Sequence, residues 1–146
     1  MRISINSMDF KGSLVNGPGI RSLLFLQGCD RCCEGCHNIS TWDISKGMEY
    51  EITELVELLK EGCRNRKITI TGGEPLYQKE ALTELVKALK GFDICLYTSY
   101  ELDEVPSEIL KHIKYLKTGR YDSRFRTTTT PYYGSLNQRF ITINEE

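Results

Sequence analysis

Apolar residues along the chain fall into short blocks of two kinds. Ser22-Leu23-Leu24-Phe25-Leu26-Gln27 is a near-continuous apolar run that stops at Gly28, the form of a strand covered on both faces. Further on, Ile52, Leu55, Val56 and Leu59 recur at helical spacing, and Gly62 is placed to cap the helix C-terminus. The unit then repeats. Residues 67–70 predict a strand, Leu82, Leu85, Val86 and Leu89 share one helical face before Gly91, residues 93–97 predict another strand, and a short helix is expected near 106–112. Tyr115-Leu116-Lys117 and residues 138–143 predict two more strands. At the front, residues 2–6 predict a short leading strand, which Lys11-Gly12-Ser13 and Asn16-Gly17-Pro18-Gly19 break into a loop. Residues 120–130 carry neither period and predict a loop.

Strands alternating with helices imply parallel strands joined by right-handed crossovers, so a partial (β/α) barrel, open laterally, is expected over one domain spanning 1–146. Parallel α/β proteins do their chemistry at the carboxyl ends of the strands. Here Cys29 follows one such end, Gly72 to Glu74 a second, Thr98 a third, and Lys117 lies at a fourth.

With 146 residues, 40% of them apolar, the chain has the size and apolar content for a single core. Its 19 basic and 20 acidic residues leave a formal charge of -1, so no basic field points to nucleic acid. No run approaches the length of a membrane span and no signal peptide leads the chain, so a cytoplasmic location without membrane contact is expected. In that compartment, six cysteines read as metal or redox ligands rather than disulfides.

Four of the six cysteines fall in Gly28-Cys29-Asp30-Arg31-Cys32-Cys33-Glu34-Gly35-Cys36-His37-Asn38. Cys29, Cys33 and Cys36 have three residues and then two between them, so one loop can close around one inorganic centre. Structural zinc usually draws four ligands from two separated pairs, and no second pair follows, although His37 would complete a Cys₃His set. A [4Fe-4S] cluster held by only three thiolates leaves its fourth iron open to a substrate.

The Cys-x-x-x-Cys-x-x-Cys spacing resembles that of the radical S-adenosylmethionine (SAM) enzymes. Asn16-Gly17-Pro18-Gly19-Ile20-Arg21, Thr71-Gly72-Gly73-Glu74-Pro75 and Gly134-Ser135-Leu136-Asn137-Gln138-Arg139 extend the likeness over nearly the whole chain. Together they resemble the activating proteins of anaerobic ribonucleotide reductase, the short glycyl-radical activases. Asn16 departs from that family, which has Asp there. The resemblance implies a short radical SAM core with Cys29, Cys33 and Cys36 as cluster ligands, SAM chelated at the open iron, and reductive cleavage to a 5′-deoxyadenosyl radical. It implies that Gly35, Cys36 and His37 pack on the adenine. Gly72 and Gly73 would admit the ligand close to backbone, and Glu74 would accept a hydrogen bond from the methionine ammonium. Thr98 and Ser99 are expected at the ribose, with Gly at the Ser99 position in related activators, and Lys117 at the SAM carboxylate or ribose. The implied partners are a large glycyl-radical reductase subunit and an electron donor such as flavodoxin or ferredoxin.

Cys32 is left as a spare thiol, Cys63 and Cys95 as small apolar residues, His112 as a surface or interface residue, and Trp42 as packing beside the loop. Three readings stand at this point. One is the reductase activase, favoured by the short chain and its closing motif. The others are a radical SAM enzyme acting on a different glycyl-radical enzyme or a small molecule, and a zinc or iron-sulfur binding module without activity.

Overall fold

The apolar run around Leu24 becomes a central strand, and the sheet extends from it on both sides. The computed structural model describes residues 1–29, 42–119, 124 and 137–144. Its strands are β1 (Arg2–Ser13), β2 (Arg21–Leu26), β3 (Met48–Glu51), β4 (Lys67–Gly72), β5 (Asp93–Tyr97), β6 (Tyr115–Thr118) and β7 (Arg139–Thr142). They form one sheet in the order β3-β1-β2-β4-β5-β6-β7. Within it β2, β4, β5 and β6 are mutually parallel, as predicted, with Leu24 opposite Ile70 and Ile70 opposite Leu96. The flanks correct the all-parallel expectation, since β1, β3 and β7 join antiparallel. A seven-residue connection between β1 and β2 is too short for a parallel crossover, which needs a dozen residues or more. The described sheet ends at β3 and β7 without closing, which makes it a laterally open partial barrel.

Two other expectations change. The leading strand runs on to Ser13 rather than stopping at Asn6. Register shifts against β2 between Ile5 and Ser7 and between Asp9 and Ser13 absorb the break, and Gly12, at φ +98°, sits in the second. Gly62 is the last residue of α1 (Ile52–Gly62), and Cys63 occupies the cap. A Cβ at Gly62 would lie 2.6 Å from the Phe10 ring, so close packing against β1 accounts for the glycine.

Alternation along the strands divides the sheet into two faces. Ile3, Ile5, Leu24, Leu26, Ile68, Ile70, Ile94, Leu96 and Leu116 pack against Leu55 and Leu59 of α1, Leu82 and Leu85 of α2 (Lys79–Ala88), and Ile109 of α3 (Ser107–Leu110). The opposite face carries Leu23, Thr69, Thr71, Cys95 and Tyr97, which belong to none of that helix-covered core. Helices on a single face leave the other for function.

The Asn16-Gly17-Pro18-Gly19-Ile20-Arg21 segment lies at the amino ends of the parallel strands, away from the edge where the chemistry is expected. Arg21 is fully buried. Its guanidinium donates to Thr69 Oγ1 (3.0 Å) and to the carbonyls of Pro18 (2.9 Å), Ile68 (2.9 Å) and Asp93 (2.6 Å), and it pairs with the Asp93 carboxylate at 2.8 Å. One side chain thus ties the starts of β2, β4 and β5. An Arg21→Lys chain keeps the charge but loses the planar fork, stranding buried carbonyls. It should be less stable by about 2–4 kcal/mol, read as a lower urea midpoint at unchanged m-value.

Candidate functional site

The end of β2 delivers Cys29 to the carboxyl edge of the sheet. Gly28 makes the turn at φ +100°, where a Cβ would lie 2.7 Å from the Tyr77 ring and 2.8 Å from Ile44. Cys29 is half-buried, and its amide donates to the Trp42 carbonyl at 3.1 Å. Cys29 and Trp42 are therefore held side by side, as one neck. Buried Gln27 braces it, donating Nε2 to the Asp43 carbonyl (2.7 Å) and accepting from Asn6 Nδ2 (2.9 Å). Gln78 in turn donates to the carbonyls of Gln27 (2.9 Å) and Ser4 (2.8 Å) and accepts from the Ser4 amide (2.8 Å). On the far stem, Ser45 donates through side chain and backbone to Asp43, holding that carboxyl below its ordinary pKa. The expected ligands Cys33 and Cys36, the adenine-packing Gly35 and His37, and the spare thiol Cys32 lie outside the described residues.

The loop after β4 is stitched directly to that neck. Gly73 donates to the Leu26 carbonyl (3.2 Å) and Glu74 to the Gly28 carbonyl (2.9 Å), while Gly72, at φ +121°, lies against the Leu26 backbone. Glu74 is 1% exposed. Its Oε2 accepts from the Leu76 amide (2.9 Å) and Thr98 Oγ1 (2.7 Å), and its Oε1 from the amide (2.7 Å) and hydroxyl (2.6 Å) of Ser99. Four donors fill the carboxylate's acceptor positions. All four are neutral, and no ion pair among the described residues includes Glu74. Buried charges are normally paired with an opposite charge. A carboxylate in this setting fits an ammonium, the group the SAM methionine carries.

The structure thus brings Cys29, Gly72, Gly73, Glu74, Thr98 and Ser99 into one hydrogen-bonded edge. In it both hydroxyls expected at the ribose donate to Glu74, and Thr98 Oγ1 also accepts from the Tyr100 amide (3.2 Å), the turn-capping role open to such a residue. Lys117 joins through its carbonyl, which accepts from the Thr98 amide (2.9 Å), and its ammonium lies 3.9 Å from the centre of the Tyr97 ring. From the closing motif, buried Gln138 donates to the Gly119 carbonyl (3.1 Å), and Gly119 donates to Tyr100.

Other residues stand apart from this edge. Cys63 and Cys95 are buried, and desolvation pushes the Cys95 thiol up to about 12, which keeps it protonated at neutral pH and unlike a thiolate ligand. His112 is half-buried at the end of α3. The braces Gln27, Gln78 and Asn6 carry no motif. Their one signal in the sequence is that Gln27 breaks an apolar run just before the cysteine loop.

Comparison with known proteins agrees with this geometry. The 4Fe-4S single cluster domain family matches residues 15–141. The anaerobic ribonucleoside-triphosphate reductase-activating protein of Enterobacteria phage T4 is 36% identical over 134 residues, covering 86% of this chain and 85% of that protein. Proteins of the same name from Vibrio cholerae serotype O1 and Escherichia coli K12 are 33% and 30% identical over 138 residues, each covering 86% of this chain and 89% and 90% of their own. The crystal structure of QueE from Escherichia coli matches with a TM-score of 0.59 at 23% identity, over 85% of this chain and 73% of that one, a likeness of fold.

Proposed function

Since the chain belongs to the 4Fe-4S single cluster domain family and to the anaerobic ribonucleoside-triphosphate reductase-activating proteins, we propose that it is an iron-sulfur radical SAM activase acting on the large reductase subunit. A [4Fe-4S] cluster held there would supply the single electron for reductive cleavage of SAM to methionine and a 5′-deoxyadenosyl radical, which would take a hydrogen atom from a glycine Cα of the reductase and leave as 5′-deoxyadenosine. The observation that carries this reading is the buried carboxylate of Glu74, which makes no ion pair among the described residues, on a residue whose amide donates to the carbonyl preceding Cys29.

The chain's residues divide the work. Cys29, Cys33 and Cys36 hold the cluster as thiolates, and Gly35, Cys36 and His37 form the wall for the adenine. Gly72 and Gly73 let backbone approach the methionine moiety, and Glu74 takes its ammonium. Thr98 and Ser99 meet the cofactor site through Glu74, and Lys117 stands on the next strand as the cation for the methionine carboxylate or the ribose. No described helix is long and apolar enough to cross a membrane. The electron comes from a one-electron donor such as flavodoxin or ferredoxin in the cytoplasm.

Among the described residues the sheet is open at β3 and β7, which suits a macromolecular substrate. The test is to mix reconstituted, dithionite-reduced protein with SAM and the large reductase and record electron paramagnetic resonance. A glycyl radical on the reductase that requires this chain is the expected result. SAM cleavage without any radical on the reductase would move the substrate elsewhere.

A further inference from the structure

Trp42 is the chain's single tryptophan, and it sits on the neck beside the cysteine loop, its carbonyl accepting from the Cys29 amide at 3.1 Å. An indole N–H is a donor only, and a buried one normally finds an acceptor. Trp42 Nε1 is buried and has no hydrogen-bond partner among the described residues. The acceptors of the neck serve other donors. The Asp43 carboxylate takes the amide and hydroxyl of Ser45, the Asp43 carbonyl takes Gln27 Nε2 (2.7 Å), and the Gly28 carbonyl takes the Glu74 amide (2.9 Å). A donor kept from water without an acceptor is costly, so this position calls for a partner that these residues do not supply.

Cys29, whose amide is bonded to Trp42, is the first of the three thiolates assigned to the cluster. Resting on the radical SAM reading above, we infer that the Trp42 indole N–H donates a hydrogen bond to a sulfur of the [4Fe-4S] cluster, a sulfide or a ligand thiolate. Such sulfurs are anionic acceptors, and hydrogen bonds to them are one of the means by which a protein sets a cluster's reduction potential. The direction follows from charge. Reduction adds an electron to the cluster and makes its sulfurs more negative, so the bond from the indole is stronger in the reduced state than in the oxidised one. Trp42 therefore raises the potential and eases the one-electron reduction on which SAM cleavage depends.

Two readouts, neither of them turnover, test this on protein reconstituted with iron and sulfide. Potentiometric titration followed by electron paramagnetic resonance compares wild type with Trp42→Phe, which keeps an apolar ring and loses the N–H. The equilibrium constant for reduction should fall about 3- to 10-fold in the variant, a shift of roughly 30–60 mV to more negative potential for one electron. Because Trp42 is the only tryptophan, supplying tryptophan labelled with nitrogen-15 in the indole places the isotope at Nε1 of this residue alone. Pulsed electron paramagnetic resonance of the dithionite-reduced wild-type cluster should then show a coupling to that nitrogen. An unchanged or more positive potential in Trp42→Phe, or no nitrogen coupling in wild type, overturns the inference and leaves the cluster assignment standing. The labelling measurement needs no variant, so it decides the question even where Trp42→Phe does not fold. Failure of wild type to take up an iron-sulfur cluster overturns the functional reading and this inference together.

Discussion

A Gly72→Ala chain is expected to be less stable than wild type by about 3–5 kcal/mol. Two independent costs combine at this residue. Its φ of +121° is a conformation that side chains other than glycine rarely adopt, and a Cβ built there falls on the backbone nitrogen and oxygen of Leu26. Leu26 is the register partner of Gly72 in the parallel β2-β4 pair, and neither strand has a flexible side-chain end that can yield. Relief requires the two carboxyl ends to part, and Gly28, Cys29 and the Glu74 amide sit on those ends. Gly91 provides the control. Its φ is +85° but no atom lies within 4 Å of the added Cβ, so Gly91→Ala should cost only about 1 kcal/mol. Urea unfolding of the two chains measures the difference. Equal, small costs would mean that β2 and β4 do not approach as described.

Replacing Cys29 with alanine should leave the fold and remove the metal. The neck is closed by the Cys29 amide on the Trp42 carbonyl and by Gln27 on Asp43, and alanine at position 29 keeps both bonds. The thermal midpoint is therefore expected to move by no more than about 3 °C. Losing one of three thiolates takes away a bond that the cluster needs, so iron and sulfide uptake on reconstitution, and the visible absorption that accompanies it, should fall to background. Cys95→Ala is the matched control, because its thiol is buried and protonated and lies beside Gly17, Thr69 and Arg21, toward the amino ends of the strands, and that chain should take up iron like wild type. Iron retained by Cys29→Ala and lost by Cys95→Ala would reverse the ligand assignment.

The parallel centre was legible because burial on both faces writes itself as unbroken apolar runs, as in residues 23–26, and because helical spacing of Leu55, Val56 and Leu59 separates those runs. The flanks were less legible for a related reason. β3 is Met48-Glu49-Tyr50-Glu51, a four-residue edge that is exposed or half-exposed throughout, so it has no apolar pattern to read. The second half of β1 was hidden by Gly12, which marks a register irregularity in a strand as readily as a turn. At the site, the residue types that perform chemistry, Cys29, Gly72, Gly73 and Glu74, announced themselves by motif. The network around them did not. That Ser99 and Thr98 spend their hydroxyls on Glu74, and that Gln78 ties Ser4 to Gln27, are contacts between residues 24 to 74 positions apart. Such pairings are set by the register of the sheet, which no local pattern encodes. Arg21 shows the same limit. It stood within a motif that resembled a functional family, yet its guanidinium is committed to the amino ends of three strands.

The central claim is that this chain holds a reducible cluster beside a SAM site, and one measurement addresses it most directly. Protein reconstituted with iron and sulfide in the absence of oxygen is reduced with dithionite and given SAM, and 5′-deoxyadenosine is quantified against a Cys33→Ala chain treated identically. The account predicts deoxyadenosine and methionine in equal amounts from wild type and none from Cys33→Ala. Tight uptake of a single zinc ion in place of iron, with no deoxyadenosine under any of these conditions, would contradict it and leave a metal-stapled binding module.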